Sequence, residues 1–323
     1  MSLKNIYKKY SFKGVDGRAA GLITLTQDQI DRMHEILLEI CDDIFSLCQE
    51  KGYVCILGGG SALGAIRHKG FIPWDDDVDL NISRESYEKF IPEFRKRYGD
   101  KYWVHTPEDN PESGINLAKI RMKGTKVKTR DDLYDDSEAG AFVDLFIIEN
   151  TYDNKILRTI HGFLSLAVKS CLSCRRFYRD RKIYMESIGG DKSIMETSRL
   201  RLALGFLCSF MSVERWTRLA NSIYSMCKNN NSKLVTIPQG RWHFFGSIHD
   251  RSTFCTMRTL SFEGRQYNVC NEMDKYMKQL YGDNYMQVPP PEKREEHVVW
   301  EFDLGSRSIT TPTEKRPTGE TGA

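Results

Sequence analysis

From Trp74 to Ile82 the sequence reads Trp-Asp-Asp-Asp-Val-Asp-Leu-Asn-Ile, and an acidic run leading straight into apolar residues restricts how this chain can fold. If residues 77–82 form a strand, side chains alternate between faces. Asp77 and Asp79 then project to one side, and Val78 and Leu80 to the other. Two like charges on a half-buried face repel each other. A divalent cation held by hard oxygen ligands removes that conflict. The plain alternative is a solvated acidic turn, but a run set between Trp74 and an apolar strand favours a built site. An EF-hand loop does not fit, because Leu80 stands where its glycine belongs and Ser86 where its glutamate belongs.

A second feature precedes the run. The apolar segment Tyr53–Leu57 reads as a strand that enters Gly58-Gly59-Gly60-Ser61, followed by helical turns from Ala62 to Arg67. Backbone N–H groups around Gly59 and Gly60, with the Ser61 hydroxyl, form a candidate phosphate cradle. The pattern is neither a Walker A loop nor GxGxxG. A third feature is Asp144, a carboxylate inside the apolar strand Ala141–Ile148. Burying it is costly unless something compensates it. Either a basic residue pairs with it, or it joins Asp77 and Asp79 as a third metal ligand. Three such carboxylates on neighbouring strands can hold two metals roughly 3.5–4 Å apart.

Cations lie where a phosphorylated substrate would need them. Arg67 and His68 sit between the glycine turn and the acidic strand. Lys119 and Arg121 share one face of a strand by alternation. Pairing with Asp144 or Glu138 would make the last two structural instead. Trp74 reads as a packing residue.

Thr26 and Gln29 form a capping box for a helix from Thr26 to Lys51, closed by Gly52. A helix is expected over Arg84–Tyr98, kinked or divided at Pro92. Ile115–Lys128 reads as a hairpin around Gly124. Ile156–Leu172 and Leu200–Met226 read as long helices with a basic stretch, Arg175 to Lys182, between them. A last helix is expected over Asn271–Tyr281. The fold class is therefore α/β (or α+β), a small mixed sheet with flanking helices and a helical insertion. The expected division is an N-terminal extension (1–25), a catalytic core (26–154), the insertion (155–235), a returning part of the catalytic domain (236–304) and a disordered tail (305–323).

A net charge of +3 over 323 residues gives no argument for nucleic acid as a partner. The first ten residues carry no secretory pattern. Nine scattered cysteines, an odd number, point to a reduced, cytoplasmic setting. The Cys171/Cys174 pair lacks the further ligands of a zinc site. The insertion sets apolar helix faces beside many Arg and Lys. That permits peripheral contact with anionic lipid, though packing on the catalytic core is the plainer expectation.

The stretch from Gly60-Ser61 through Phe71-Ile72-Pro73-Trp74 to Asp75-Asp76-Asp77-Val78-Asp79 resembles the LicD family, to which fukutin-type transferases are related. With Asp144 it carries the signature of a nucleotidyltransferase-like fold. Leu280-Tyr281-Gly282-Asp283-Asn284-Tyr285, then Pro289-Pro290 and His297, resembles the family's distal motif. Where relatives often have proline before the distal helix, this chain has Cys270-Asn271. The resemblance implies a CDP-activated alcohol as donor, its diphosphate bridged by Mg²⁺ or Mn²⁺ on Asp77, Asp79 and Asp144. It also implies a glycan hydroxyl as acceptor, on a lipopolysaccharide, teichoic acid or capsule or its precursor, with CMP released. Asp144 would take the acceptor proton, and His297 would close over the nucleotide. Two other readings stay open: a nucleotidyltransferase placing NMP on a small molecule or protein, and a non-catalytic nucleotide- or glycan-binding module.

Overall fold

The computed structural model describes residues 23–187, 192–291, 294 and 298–305. Most of the expected N-terminal extension, nearly all of the expected tail, and His297 lie outside the described residues. Thr26 caps helix α1 (Gln27–Lys51) reciprocally: its side chain accepts from the Gln29 amide, and the Gln29 side chain accepts from the Thr26 amide. Such a cap contributes about 1 kcal/mol. Met33, Leu37, Ile40, Ile44 and Leu47 are buried along one stripe, and Gly52 ends the helix at φ 68°.

The chain then runs through β1 (Cys55–Leu57), α2 (Gly59–Arg67), β2 (Asp79–Ser83), α3 (Arg84–Tyr98), β3 (Tyr102–His105), β4 (Ala118–Met122) and β5 (Phe142–Asn150). The strands form a mixed sheet in the order β1-β2-β5-β4-β3. β2 and β5 are parallel, and the other pairs are antiparallel. This is the expected mixed α/β class. Register places Asp79 beside Asp144, Asp144 beside Lys119, and Lys119 beside His105. Alternation therefore gives one face a polar row. The opposite face carries Leu80, Ile82, Val143, Leu145, Ile147 and Ile120, all buried in a core shared with α1 and α3.

Several boundaries differ from the sequence reading. The acidic strand begins at Asp79, so Asp77 lies in the loop before it. Pro92 lies inside one continuous helix. The hairpin around Gly124 does not form. β4 pairs with β3 and β5, while Lys126–Lys128 pairs with Glu301–Asp303. Thr125 closes the end of β4, its hydroxyl donating to Met122 O and accepting from the Ala141 amide. The position that a hairpin partner would occupy is filled by residues 139–141.

The basic stretch expected between two helices is itself helical. It lies within α4 (Lys155–Ser187), a helix of 33 residues. Arg and Lys are good helix formers, and Arg181 stacks on Tyr178 at 4.0 Å. The second long helix splits into α5 (Lys192–Leu207) and α6 (Val213–Tyr224), because Ser212 caps α6 and Trp216 Nε1 donates to Cys208 O. α6 packs on α4 through Val168, Leu172, Trp216 and Tyr224.

The chain then returns to the sheet. β6 (Leu234–Thr236) pairs with the far end of β5, and β7 (His249–Asp250) pairs with β6. A hairpin of β8 (Met257–Phe262) and β9 (Arg265–Cys270) turns at Glu263-Gly264, both at positive φ. The helix α7 (Met273–Tyr281) follows. Among the described residues no helix is long and apolar enough to cross a membrane.

Candidate active site

The glycine turn and β2 are fastened together before any ligand is considered. Gly58 N–H donates to Asp79 O at 2.8 Å, and the Asp79 amide donates to Ser61 Oγ at 3.0 Å. Gly59 N–H donates to Tyr276 Oη at 3.1 Å, and Asn81 Nδ2 donates to the same oxygen. The Gly58 and Gly59 amides and the acceptor side of Ser61 thus hold the site's own framework together. That is a different use from the phosphate cradle expected of Gly59, Gly60 and Ser61. The glycines also make room for carboxylates. A Cβ on Gly59, whose φ is 42°, would stand 2.2 Å from Asp79 Oδ2, and one on Gly60 would stand 2.7 Å from Asp75 Oδ2.

Asp75, Asp76 and Asp77 offer carboxylate oxygens that all lie within 4.8 Å of one another. Among the described residues this is the one such group of three, and it differs from the expected set of Asp77, Asp79 and Asp144. His34 fixes the backbone of the run. Its ring stacks on Phe71 at 3.6 Å and its Nε2 lies 2.6 Å from Asp75 O. Asp75, Asp77 and Asp79 line one cleft of about 490 Å³. An oxygen-only donor set crowded against side-chain-free glycines fits a small hard cation such as Mg²⁺.

Asp144 lies one strand from Asp79 but is held from the other side. Lys119 Nζ is 2.8 Å from Asp144 Oδ1 and 3.3 Å from Asp131 Oδ2. Burial raises the Asp144 carboxyl above its usual range, and Lys119 opposes that rise. Asp131 is penalised by burial yet driven far below the usual range by Arg176 and Lys119. Arg121 is also committed, to Asp132 Oδ1 at 2.7 Å. Lys119 and Arg121 therefore do not reach the cleft as the donor-phosphate ligands expected from sequence. Both are almost fully buried, and a buried cation needs an anion beside it.

The cations that do line the cleft are Arg67, Arg241 and Arg294. Arg67 Nη1 donates to the Tyr285 and Gln287 carbonyls, pinning the distal segment across the opening. Arg294 stacks on Trp74 at 4.0 Å, so Trp74 supports a cation at the cleft wall. His68 sits edge-on to Trp74 and does not line the cleft; burial and then Arg67 hold its pKa down. Tyr276, Tyr281 and His249 complete the wall. His249 stacks on Phe254 at 4.1 Å, and its Nε2 has no hydrogen-bond partner among the described residues. Sequence reading missed Arg241, His249 and Tyr276. Helical spacing from the distal motif reaches Tyr276, one turn before Leu280, but Arg241 and His249 carry no local signal.

A second cavity, about 260 Å³, lies between the helical part and the Asp131 side of the row. Its wall includes Lys169, whose ammonium donates to the Pro238, Gln239 and Gly240 carbonyls. Lys169 thereby anchors the loop whose ends, Ile237 and Gly240, face the first cleft.

Comparison with known proteins bears on this arrangement. The family described as LicD/FKTN/FKRP, nucleotidyltransferase domain, matches residues 52–159. The lipopolysaccharide cholinephosphotransferase LicD of Haemophilus influenzae is 29% identical over 289 residues, covering 86% of this chain and 97% of that protein. An uncharacterised protein of Rickettsia typhi is 32% identical over 63 residues, 19% of this chain and 20% of its own length. One of Rickettsia prowazekii is 28% identical over 83 residues, 23% and 31% of the two chains.

Proposed function

We propose, from the premise that the chain belongs to the LicD family of phosphotransferases, that it moves phosphocholine or a similar phospho-alcohol from a CDP-activated donor to a sugar hydroxyl of a lipopolysaccharide-type glycan. The observation that carries this reading is a convergence of opposite charges. Asp75, Asp77 and Asp79 share one 490 Å³ cleft with Arg67, Arg241 and Arg294.

Such a cleft suits a diphosphate, whose oxygens need cations on every side. Arg241 and Arg294 neutralise the donor phosphates, while Arg67 divides its donors between them and the distal backbone. Asp75, Asp77 and Asp79 would hold Mg²⁺ or Mn²⁺, which would supply charge neutralisation at the diphosphate. Tyr276 fixes the glycine turn against β2, so the carboxylates keep their spacing as the donor enters.

In the transfer, a bond forms between the acceptor oxygen and the phosphorus bearing the alcohol. The bond from that phosphorus to the bridging oxygen breaks, and CMP departs with the electron pair. The hydroxyl proton passes to Asp144, which stands beside Asp79 and whose affinity for a proton is raised by burial, with Lys119 opposing that rise. Catalysis is then mainly positioning and electrostatics.

The test is a donor screen with CDP-choline, CDP-ribitol and CDP-glycerol, read as CMP release. Asp79→Asn is expected to lower turnover at least about a hundredfold. Unchanged turnover in that variant would remove the site assignment, and release of pyrophosphate from a nucleoside triphosphate would replace the reaction with nucleotidyl transfer.

A further inference from the structure

We infer that the bare apolar stripe of α4, continued by the end of α5, rests on the surface of an anionic lipid bilayer. Ile156, Ile160, Phe163 and Leu164 recur at helical spacing on one side of α4. Ile156 is 71% exposed and Phe163 63%. The side turned toward α6 is different, since Val168 and Leu172 are buried there.

Farther along α4 the same stripe is covered. Gly205 of α5 lies so close that a Cβ would stand 2.3 Å from Cys174 O, and Phe206 meets Tyr178 at 6.0 Å. α5 therefore covers the stripe only part of the way. Where it stops, Leu207 and Phe210 are themselves exposed, Phe210 at 74%. Of the nineteen exposed large apolar side chains among the described residues, thirteen fall between Ile156 and Met226. Soluble surfaces rarely concentrate apolar side chains in this way without a partner.

Charge decides what the partner is. Residues 155–226 hold thirteen Lys and Arg against five Asp and Glu, an excess of eight in a chain whose net charge is +3. Of the six basic residues from Lys155 to Arg179, Lys169 turns inward onto the Pro238–Gly240 carbonyls, Arg176 pairs with Asp131 and Arg179 with Asp180, so Lys155, Arg158 and Arg175 carry the excess there. A second copy of this chain would bring the same excess against itself and be repelled. An anionic bilayer attracts the basic residues and accepts the Phe, Leu and Ile side chains at its interface. The stripe does not cross the membrane; it lies on it.

This inference does not depend on the transfer reaction, because vesicle binding is measured with neither donor nor acceptor present. The full chain is sedimented with vesicles of equal parts phosphatidylcholine and phosphatidylglycerol, and with phosphatidylcholine alone. Binding to the anionic vesicles is expected to be at least about tenfold tighter, and to weaken in ~0.5 M salt. Phe163→Ser with Phe210→Ser is expected to reduce it about tenfold. Lys155→Glu with Lys182→Glu, at exposed positions outside the apolar stripe, is expected to do the same. Equal binding to both vesicles, no binding to either, or insensitivity to both pairs of variants would overturn the inference. So would a dimer in solution that Phe163→Ser dissociates, since that outcome assigns the stripe to a second copy.

Discussion

At Gly60 a Cβ would press on Asp75 Oδ2, while the backbone there has no positive φ that an alanine would resist. Gly60→Ala is thus a means of displacing one carboxylate without unfolding the protein. Turnover is expected to fall on the order of a hundredfold, the scale of a 1 Å misplacement. The thermal midpoint should move little, and a steady-state assay beside a melting curve checks both. Wild-type turnover in this variant would mean that Asp75 has no part in the reaction. His249 gives a residue-scale prediction about pH. Burial, then Lys275, pushes its pKa down to about 4 from an ordinary 6.5. Between those values the unfolded ring gains a proton that the folded one does not, so stability falls as pH drops from 6.5 to 4. The loss attributable to this ring is about 3 kcal/mol. His249→Phe should flatten that part of the stability–pH curve, measured by urea unfolding at several pH values.

Elements were more legible than their partners. The alternation around Asp79 and the apolar run around Asp144 marked two strands, and register sets the two carboxylates side by side. The capping box fixed the start of α1 because both of its bonds are local. Reading failed where tertiary contacts decide. Lys126–Lys128 has strand character, but its partner is Glu301–Asp303, remote in sequence. Arg175–Lys182 stands outside the two helices expected from sequence, yet helix propensity and aromatic stacking continue α4 through it. Lys119 and Arg121 showed which face they occupy, and the structural alternative of Lys119 on Asp144 is the one that forms, while Asp131 and Asp132 gave no signal in the sequence. Lys119→Met therefore leaves the largely buried Asp144 without its cation, and Asp131 with Arg176. The expected cost is about 3–5 kcal/mol, read from denaturant unfolding. A cost below about 1 kcal/mol would show that the row needs no internal cation. A second tie joins α3 to β5 and α6. Arg84 forks onto Glu149, which is fully buried, and donates to Asn221 Oδ1 at 3.0 Å.

Taken as a whole, the molecule joins its helical part to the sheet at several points along one strand. β5 pairs with β2 and β4 through the half that carries Asp144, and with β6 through Glu149 and Asn150. β6 follows the helices in sequence, so those helices are enclosed between two neighbouring strands of a single sheet. Heat should therefore unfold the described core in one cooperative transition, with calorimetric and van't Hoff enthalpies in agreement. Two separated transitions would show that the helices melt independently. The cleft also draws on distant parts of the chain: Gly59 meets Tyr276 across 217 positions, and Arg67 meets Tyr285 across 218. This long reach has a consequence during synthesis. At roughly 5–20 residues per second, a ribosome that has emitted the glycine turn needs on the order of 10–40 s to deliver Tyr276. Through that interval the nascent acidic run has no far wall, so a peptide released early would carry the aspartates but no finished pocket to use them in.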